Sequence, residues 1–173
     1  SDIWKHGYKN VFGLYTPAHA NMDPVLTLAK AQGLKTIALV YLDDDFPIHV
    51  ADGVRAMTAA NGMSLVVDQK YSNDLKGMPA LAARVAAANA DVVIVGSYMD
   101  DAVAFTKAAK VAGVKPKLIA FSGAPALQDF ADKVGVKSVH GMISTVQWSR
   151  DVRVPLGFDL AFRYSRLYGE YPS

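Results

Sequence analysis

The stretch TIALVYLDDDFP, Thr36 to Pro47, joins a largely apolar run to three consecutive carboxylates and a proline. Its first part, Thr36 to Leu42, is rich in branched side chains, which is typical of a strand buried on both faces of a parallel sheet. A helical pattern follows from His49 to Ala60 and stops at Asn61-Gly62, a common C-terminal signal of helices. The stretch therefore predicts one strand-to-helix unit with an acidic turn.

The same unit recurs along the chain. The other strand-like runs are Val11 to Tyr15, Leu65 to Val67, Val92 to Val95, Leu118 to Phe121 and Gly141 to Val146. The other helix-like segments are Pro24 to Ala31, Pro79 to Ala88, Asp101 to Ala112, Pro125 to Val134 and Pro155 to Tyr168. A strand followed by a helix, five times over, predicts an α/β fold with an open, mostly parallel sheet flanked by helices on both faces.

Composition narrows the class of protein. The 173 residues are 51% hydrophobic and 20% charged, which predicts a packed domain of ordinary size. The net charge of +2 and the scattered Lys and Arg residues argue against a nucleic-acid partner. The chain contains no cysteine, which excludes disulfides and thiolate chemistry. It begins SDIWK without an initiator Met or an export signal, which favours a processed protein or an excised piece.

Ligands of such sheets bind in the loops that follow the carboxyl ends of the strands. The predicted loops at this edge are Asp43 to Pro47, Tyr71 to Asp74, Ser97 to Asp101, Ser122 to Pro125 and Gln147 to Asp151. They combine aromatic rings, hydroxyls and carboxylates with few cations. Tyr98 follows the predicted central strand, and Phe46, Phe121 and Trp148 lie at or near the same edge. Several aromatic residues on one rim predict a small-molecule surface.

The acidic turn has two interpretations. Asp43 and Asp45 have the Asp-x-Asp spacing of a Mg-dependent phosphatase, and Ser97 imitates a second phosphate contact. The lysine and the later acidic pair of such an enzyme do not follow at the expected strand ends, so this alternative ranks low. A helix start explains the acids as well, with Asp45 as N-cap, because first-turn carboxylates stabilise a helix by about 0.3–1 kcal/mol each. Asp100 and Asp101 are likewise expected to be solvated first-turn acids.

Other chemistry has little support in the sequence. No Gly-x-Gly-x-x-Gly run follows a strand, so a dinucleotide site is not predicted. The histidines His6, His19, His49 and His140 are dispersed, which argues against a metal site. No serine lies in a nucleophile elbow. We therefore expect a protein that is not an enzyme and that uses neither cofactor nor metal.

Five segments in order resemble a known family. They are YKNVF (Tyr8 to Phe12), KTIALVYLDDDF (Lys35 to Phe46), NADVVIVGSY (Asn89 to Tyr98), SGAPA (Ser122 to Ala126) and GMISTVQW (Gly141 to Trp148). Together they resemble the second lobe of type I periplasmic solute-binding proteins, in the branched-chain amino acid (Leu/Ile/Val) branch that serves ABC transporters. The resemblance covers nearly the whole chain.

This resemblance implies a two-lobed clamshell in the periplasm, which binds solute between its lobes and presents it to an ABC permease in the membrane. Residues 1–16 would be the crossover segment from a missing first lobe, and 17–173 the second ligand-binding lobe. Surfaces left uncovered by the missing lobe make a homodimer of the isolated lobe plausible. The main alternative is a ligand-sensing domain of a receptor or regulator with the same fold.

The resemblance also assigns site residues. It places the second-lobe aromatic residue of the family at Phe46 and the pocket tyrosine at Tyr98. It places Ser122 where the family commonly has an acid that binds the ammonium of an amino acid. A buried ammonium without a charge partner is costly, and only Asp44 offers a replacement.

We therefore expect a solute without an α-ammonium, namely a small aromatic or aliphatic carboxylate. Aromatic rings of the rim would stack on its body, and a hydroxyl with two backbone N–H groups would bind its oxygen atoms. The predicted ligand-binding residues are Asp44, Phe46, Tyr98, Ser122, Gly123, Ala124 and Trp148.

Overall fold

Five parallel strands form a single sheet in the structure, a computed structural model that describes residues 6–13, 15–149 and 156–172. The strands are β1 (Thr36–Leu42), β2 (Ser64–Tyr71), β3 (Val92–Gly96), β4 (Leu118–Phe121) and β5 (Met142–Ser144). Their spatial order is β2-β1-β3-β4-β5, and every neighbouring pair is parallel. The predicted α/β fold with a parallel sheet is confirmed.

Helices cover the sheet between the strands. They are α1 (Asp23–Ala31), α2 (Asp45–Ala60), α3 (Met78–Ala88), α4 (Met99–Ala112), α5 (Gln128–Val134), α6 (Val136–Val139) and α7 (Gly157–Tyr168). Two 3-10 turns, Ala18–Ala20 and Ala124–Ala126, precede α1 and α5. No helix within the described ranges is long and apolar enough to cross a membrane.

Two sequence predictions about elements were wrong. In the run from Val11 to Tyr15, the described residues 11–13 and 15 are not in a strand: they lie outside the sheet with their side chains exposed. The helix predicted over 125–134 is broken at Leu127, whose extended backbone (φ −97°, ψ 137°) separates the 3-10 turn from α5. Pro155, the predicted start of the last helix, lies outside the described residues.

The core is divided between the two faces of the sheet. Along β1, Ile37 and Leu39 belong to one hydrophobic cluster, and Ala38 and Val40 belong to the other, because successive side chains of a strand point to opposite faces. The first cluster includes Leu26, Val50 and Val54 from α1 and α2, and the second includes Phe105, Phe121 and Phe130. This two-sided burial explains why β1 is continuously apolar.

Asp91 joins three strands at the amino edge of the sheet. Its Oδ2 accepts hydrogen bonds from the N–H groups of Lys35 (3.0 Å) and Thr36 (3.1 Å) and from Thr36 Oγ1 (3.1 Å). Its Oδ1 lies 2.8 Å from Lys117 Nζ. The Lys117 ammonium and then these backbone donors hold the pKa of Asp91 well below its usual range. The starts of β1, β3 and β4 are thereby tied together.

We expect the Asp91→Asn variant to lower the Tm at pH 7, because an amide cannot accept this set of charge-assisted hydrogen bonds. Since the pKa of Asp91 is depressed in the folded state, its contribution is fully present above the unfolded carboxyl pKa of 3.8 and declines as the pH falls below that value. The Tm difference from the native protein should therefore shrink in thermal unfolding at pH 3. Asp132→Asn is the control, because that carboxylate bonds to Gln128 within its own helix. A Tm difference for Asp91→Asn that is the same at both pH values would contradict the prediction.

Helix α7 directs large apolar side chains outward. Its buried residues are Gly157 and Ala161, whereas Phe158, Leu160, Phe162, Leu167 and Tyr168 are exposed. The Phe158 and Phe162 rings stack with centroids 6.4 Å apart. The Phe158–Phe162 pair is thus an exposed aromatic patch on α7.

Candidate functional site at the carboxyl edge of the sheet

The strand order reverses between β1 and β3. From β1 the chain passes through α2 to β2 on one side, and then through α3 to β3 on the other side of β1. In open α/β sheets, ligands bind in the crevice that such a reversal leaves at the carboxyl ends of the strands. The loops after β1 and β3, which carry Phe46 and Tyr98, meet at this crevice, as the sequence predicted.

The acidic turn starts α2, but one residue earlier than expected. Asp44, not Asp45, is the N-cap residue, with an extended backbone (φ −149°, ψ 158°). The Asp43 carboxylate lies 2.9 Å from Lys70 Nζ, and Asp45 Oδ1 lies 3.4 Å from His49 Nε2. Within the described part of the chain, no group of three or more His, Asp or Glu residues could hold a metal ion.

Phe46 and Tyr98 form a pair of aromatic rings at the crevice, called here the aromatic rim. Their centroids are 6.1 Å apart with planes tilted by 32°. Phe46 is partly buried against the core, and Tyr98 is 46% exposed. The Tyr98 hydroxyl donates to Asp44 Oδ1 at 3.1 Å. Partial burial, the bond to Asp44 and nearby carboxylate charge raise the pKa of Tyr98, so its hydroxyl stays protonated at neutral pH.

Asp101 is a buried acid that holds the backbone of the aromatic rim by a hydrogen bond. It is only 3% exposed, its Oδ1 accepts the Tyr98 N–H at 2.9 Å, and its Oδ2 accepts the Tyr71 hydroxyl at 2.7 Å. Burial and then the Asp101 charge raise the pKa of Tyr71. The expectation of a solvated acid was wrong for Asp101, whereas the Asp100 side chain is 91% exposed. The spacing from Tyr98 to Asp101 is that of N-cap and N3 in a helix, and this signal could have revealed the capping role.

Ser122 is engaged within the protein. Its Oγ accepts the Ser97 N–H at 2.8 Å and donates to the Ser97 carbonyl at 2.9 Å, and the residue is buried. Its single proton is therefore already used. The next two residues lead into the 3-10 turn, and the N–H groups of Gly123 and Ala124 have no acceptor among the described residues. These two donors are available at the same edge.

Trp148 forms no ring pair with the aromatic rim among the described residues. It is partly buried in the irregular segment after β5, and within the described chain the Phe46 ring pairs with Tyr98 and not with Trp148. The structure thus brings Asp44, Phe46 and Tyr98 together, and it places Ser122, Gly123 and Ala124 after the next strand of the sheet. Direct contact of Trp148 with either group is not seen in the described residues.

Comparison with known proteins identifies the family of this chain. The sequence model described as "Periplasmic binding protein" matches residues 1–173, the entire chain. This chain belongs to the periplasmic binding protein family. Its parallel five-stranded sheet, flanked by helices, matches a periplasmic binding protein lobe.

Curated relatives within the family are similar over most of this chain. "Leu/Ile/Val-binding protein homolog 7" of Brucella abortus is 29% identical over 140 residues, which are 79% of this chain and 35% of the relative. "Leu/Ile/Val-binding protein homolog 8" of the same organism is 28% identical over 140 residues, with the same shares. The chain therefore spans about a third of the length of these relatives.

Solved structures of the family share the fold. The closed conformation of a leucine-, isoleucine-, valine-, threonine- and alanine-binding protein from Brucella ovis has a TM-score of 0.81 at 22% identity, covering 94% of this chain and 42% of that one. A branched chain amino acid ABC transporter periplasmic ligand-binding protein from Burkholderia xenovorans LB400 has a TM-score of 0.76 at 16% identity, covering 93% and 43%. At these identities the likeness establishes the fold.

Proposed function

We propose that this chain is one lobe of the extracytoplasmic solute-binding component of a branched-chain-amino-acid-type ABC importer, and that its solute is a small aromatic or aliphatic carboxylate. The observation that carries the proposal is the aromatic rim at the strand-order reversal, half open to solvent and fixed by Asp44 and Asp101. A rigid aromatic surface with adjacent donors suits recognition by shape and hydrogen bonding.

The aromatic rim and the neighbouring backbone N–H groups have different roles in binding. Phe46 and Tyr98 contact the apolar body of the solute. The N–H groups of Gly123 and Ala124 donate to its oxygen atoms, since the Ser122 proton is used in the bond to Ser97. Trp148 contributes from the segment after β5 when the solute spans the edge.

In this proposal, a first lobe outside this chain completes the crevice. The chain spans 35% of its curated relatives and 42% of the Brucella ovis structure. The exposed Phe158–Phe162 pair of α7 is a surface that a first lobe would cover. With that lobe in place the protein works in the periplasm and delivers its solute to a membrane permease. Without it, the same face supports a homodimer.

Calorimetric titration of the two-lobed protein that contains this chain tests the solute class. We expect benzoate or 4-methylpentanoate to bind, and Phe46→Ala and Tyr98→Ala each to weaken binding at least about tenfold, because loss of a buried aromatic contact costs about 1.4 kcal/mol or more. Val111→Ala is the control, since Val111 is 90% exposed on α4. Tight binding of leucine or valine, with both of these acids inert, would refute the proposed solute.

A further inference from the structure

A second cavity lies between α1, the 3-10 turn Ala18–Ala20 and β5. Its volume is about 340 Å³, within the usual range for small-molecule sites. It is lined by Thr16, Ala20, Asn21, Pro24, Val25, Leu28, Ile143, Ser144, Thr145, Val146 and Gln147. It shares no residue with the candidate site described above, and β4 separates β3 from β5.

Two amide side chains present free donors in this cavity. Asn21 is only 8% exposed, and its Oδ1 accepts the Thr145 hydroxyl at 2.7 Å. Its Nδ2 has no acceptor among the described residues. Gln147 Oε1 accepts the Thr16 N–H at 2.9 Å, and its Nε2 likewise has no acceptor in the described chain. Each oxygen is therefore engaged, and each NH₂ group is left for a partner with an oxygen acceptor.

The rest of the lining is uncharged and mostly apolar; its other polar residues are Thr16, Thr145 and Ser144, whose buried Oγ has no hydrogen-bond partner among the described residues. Val25, Leu28, Ile143 and Val146 line the cavity, and none of its lining residues is Asp, Glu, Lys, Arg or His. An ion entering this space would lose hydration without gaining an opposite charge, which is strongly unfavourable. A neutral molecule with an apolar body loses far less.

We propose that this cavity is a second binding site, for a small uncharged molecule with an apolar body and a carbonyl or hydroxyl oxygen that accepts from Asn21 Nδ2. The site is independent of the solute bound at the aromatic rim. Because the lining carries no charge, the site selects uncharged molecules over ions. Among uncharged molecules, the two amide donors select those with an oxygen atom in the right position.

Two-dimensional ¹H–¹⁵N NMR of the full chain tests this site with three probes of equal length: hexanamide, hexanoate and hexylammonium. We expect hexanamide to shift the Asn21 side-chain signal and the amide signals of α1 and β5 saturably. The two ions should bind at least about tenfold more weakly, because each carries a charge into an uncharged cavity. Equal or stronger binding of either ion, or no saturable shift with hexanamide, would overturn the proposal.

Matched variants separate binding in the cavity from binding elsewhere. Val146 is half exposed at the cavity rim, so Val146→Trp should block hexanamide while the fold is kept. Val111→Trp makes the same change at an exposed position of α4 and should leave binding unchanged. Asn21→Asp keeps an acceptor for Thr145 and removes the donor, so it should weaken hexanamide at least about tenfold. If the Val146→Trp variant bound hexanamide as tightly as the native protein, the probe would be binding outside the cavity and the proposal would be wrong.

Discussion

The Gly53→Ala variant will lose about 3 kcal/mol or more of its free energy of unfolding, the largest effect expected for a single methyl group in this protein. A Cβ atom at Gly53 would lie 1.7 Å from the His19 carbonyl oxygen and 2.5 Å from its carbonyl carbon. Both are backbone atoms, so no side-chain rotation relieves the clash. The 3-10 turn that contains His19 must move away from α2, and its packing is lost.

Chemical denaturation followed by circular dichroism measures this loss. Gly77→Ala is the matched control, because a Cβ at Gly77 meets nothing within 4 Å and its φ of −79° suits alanine. That variant should unfold within about 0.5 kcal/mol of the native protein or be slightly more stable. If Gly53→Ala and Gly77→Ala had the same midpoint, the close approach of α2 to the turn would be wrong.

The Asp101→Ala variant is expected to lose about 3 kcal/mol of stability and to misplace Tyr98. Removal of this buried carboxylate leaves the Tyr98 N–H without its acceptor and leaves the Tyr71 hydroxyl with only the longer contact to the Gly96 carbonyl, at 3.4 Å. An unsatisfied buried polar group costs about 1–3 kcal/mol, and the weakened bond of Tyr71 adds to that loss. Because Tyr98 belongs to the aromatic rim, its contact with the Phe46 ring should loosen as well.

Asp100→Ala is the control for this prediction. The two acids are adjacent in the first turn of α4, but the Asp100 side chain is exposed and lies 3.9 Å from Lys133. We expect its removal to change stability by no more than about 0.5 kcal/mol. Denaturation midpoints and near-ultraviolet circular dichroism of the tyrosines measure both variants. Equal losses from Asp100→Ala and Asp101→Ala would show that burial of Asp101 does not matter.

Most of the fold was predictable because β1, β3 and β4 are largely buried on both faces. The continuous apolar run of β1 was placed without error at Thr36–Leu42, and β4 was placed at Leu118–Phe121. The edge strand β2 was predicted only over Leu65 to Val67, because its outer residues alternate between buried and exposed and include Asp68 and Lys70. Val11 to Tyr15 has the composition of a strand, but strand formation depends on a neighbour that composition cannot supply.

The sequence predicts which residues of the candidate site lie at the carboxyl edge, but it does not predict the hydrogen bonds between them. The positions of Phe46 and Tyr98 follow from the rule that loops meet at a strand-order reversal. The role of Asp101 depends on burial against Tyr71, a residue 30 positions away, and no local pattern encodes that contact. The bond of Ser122 to Ser97 likewise joins separate strand ends. The order of strands and loops therefore predicts which residues lie at this edge, and long-range packing decides which of their atoms are free of hydrogen bonds within the protein.

Asp91 holds the sheet together at the ends of the strands opposite to the aromatic rim. Substitutions in the loops at the opposite edge therefore leave the hydrogen bonds of Asp91 unchanged. Natural variation or laboratory evolution can vary the residues around the crevice while the contacts that join the starts of β1, β3 and β4 remain intact.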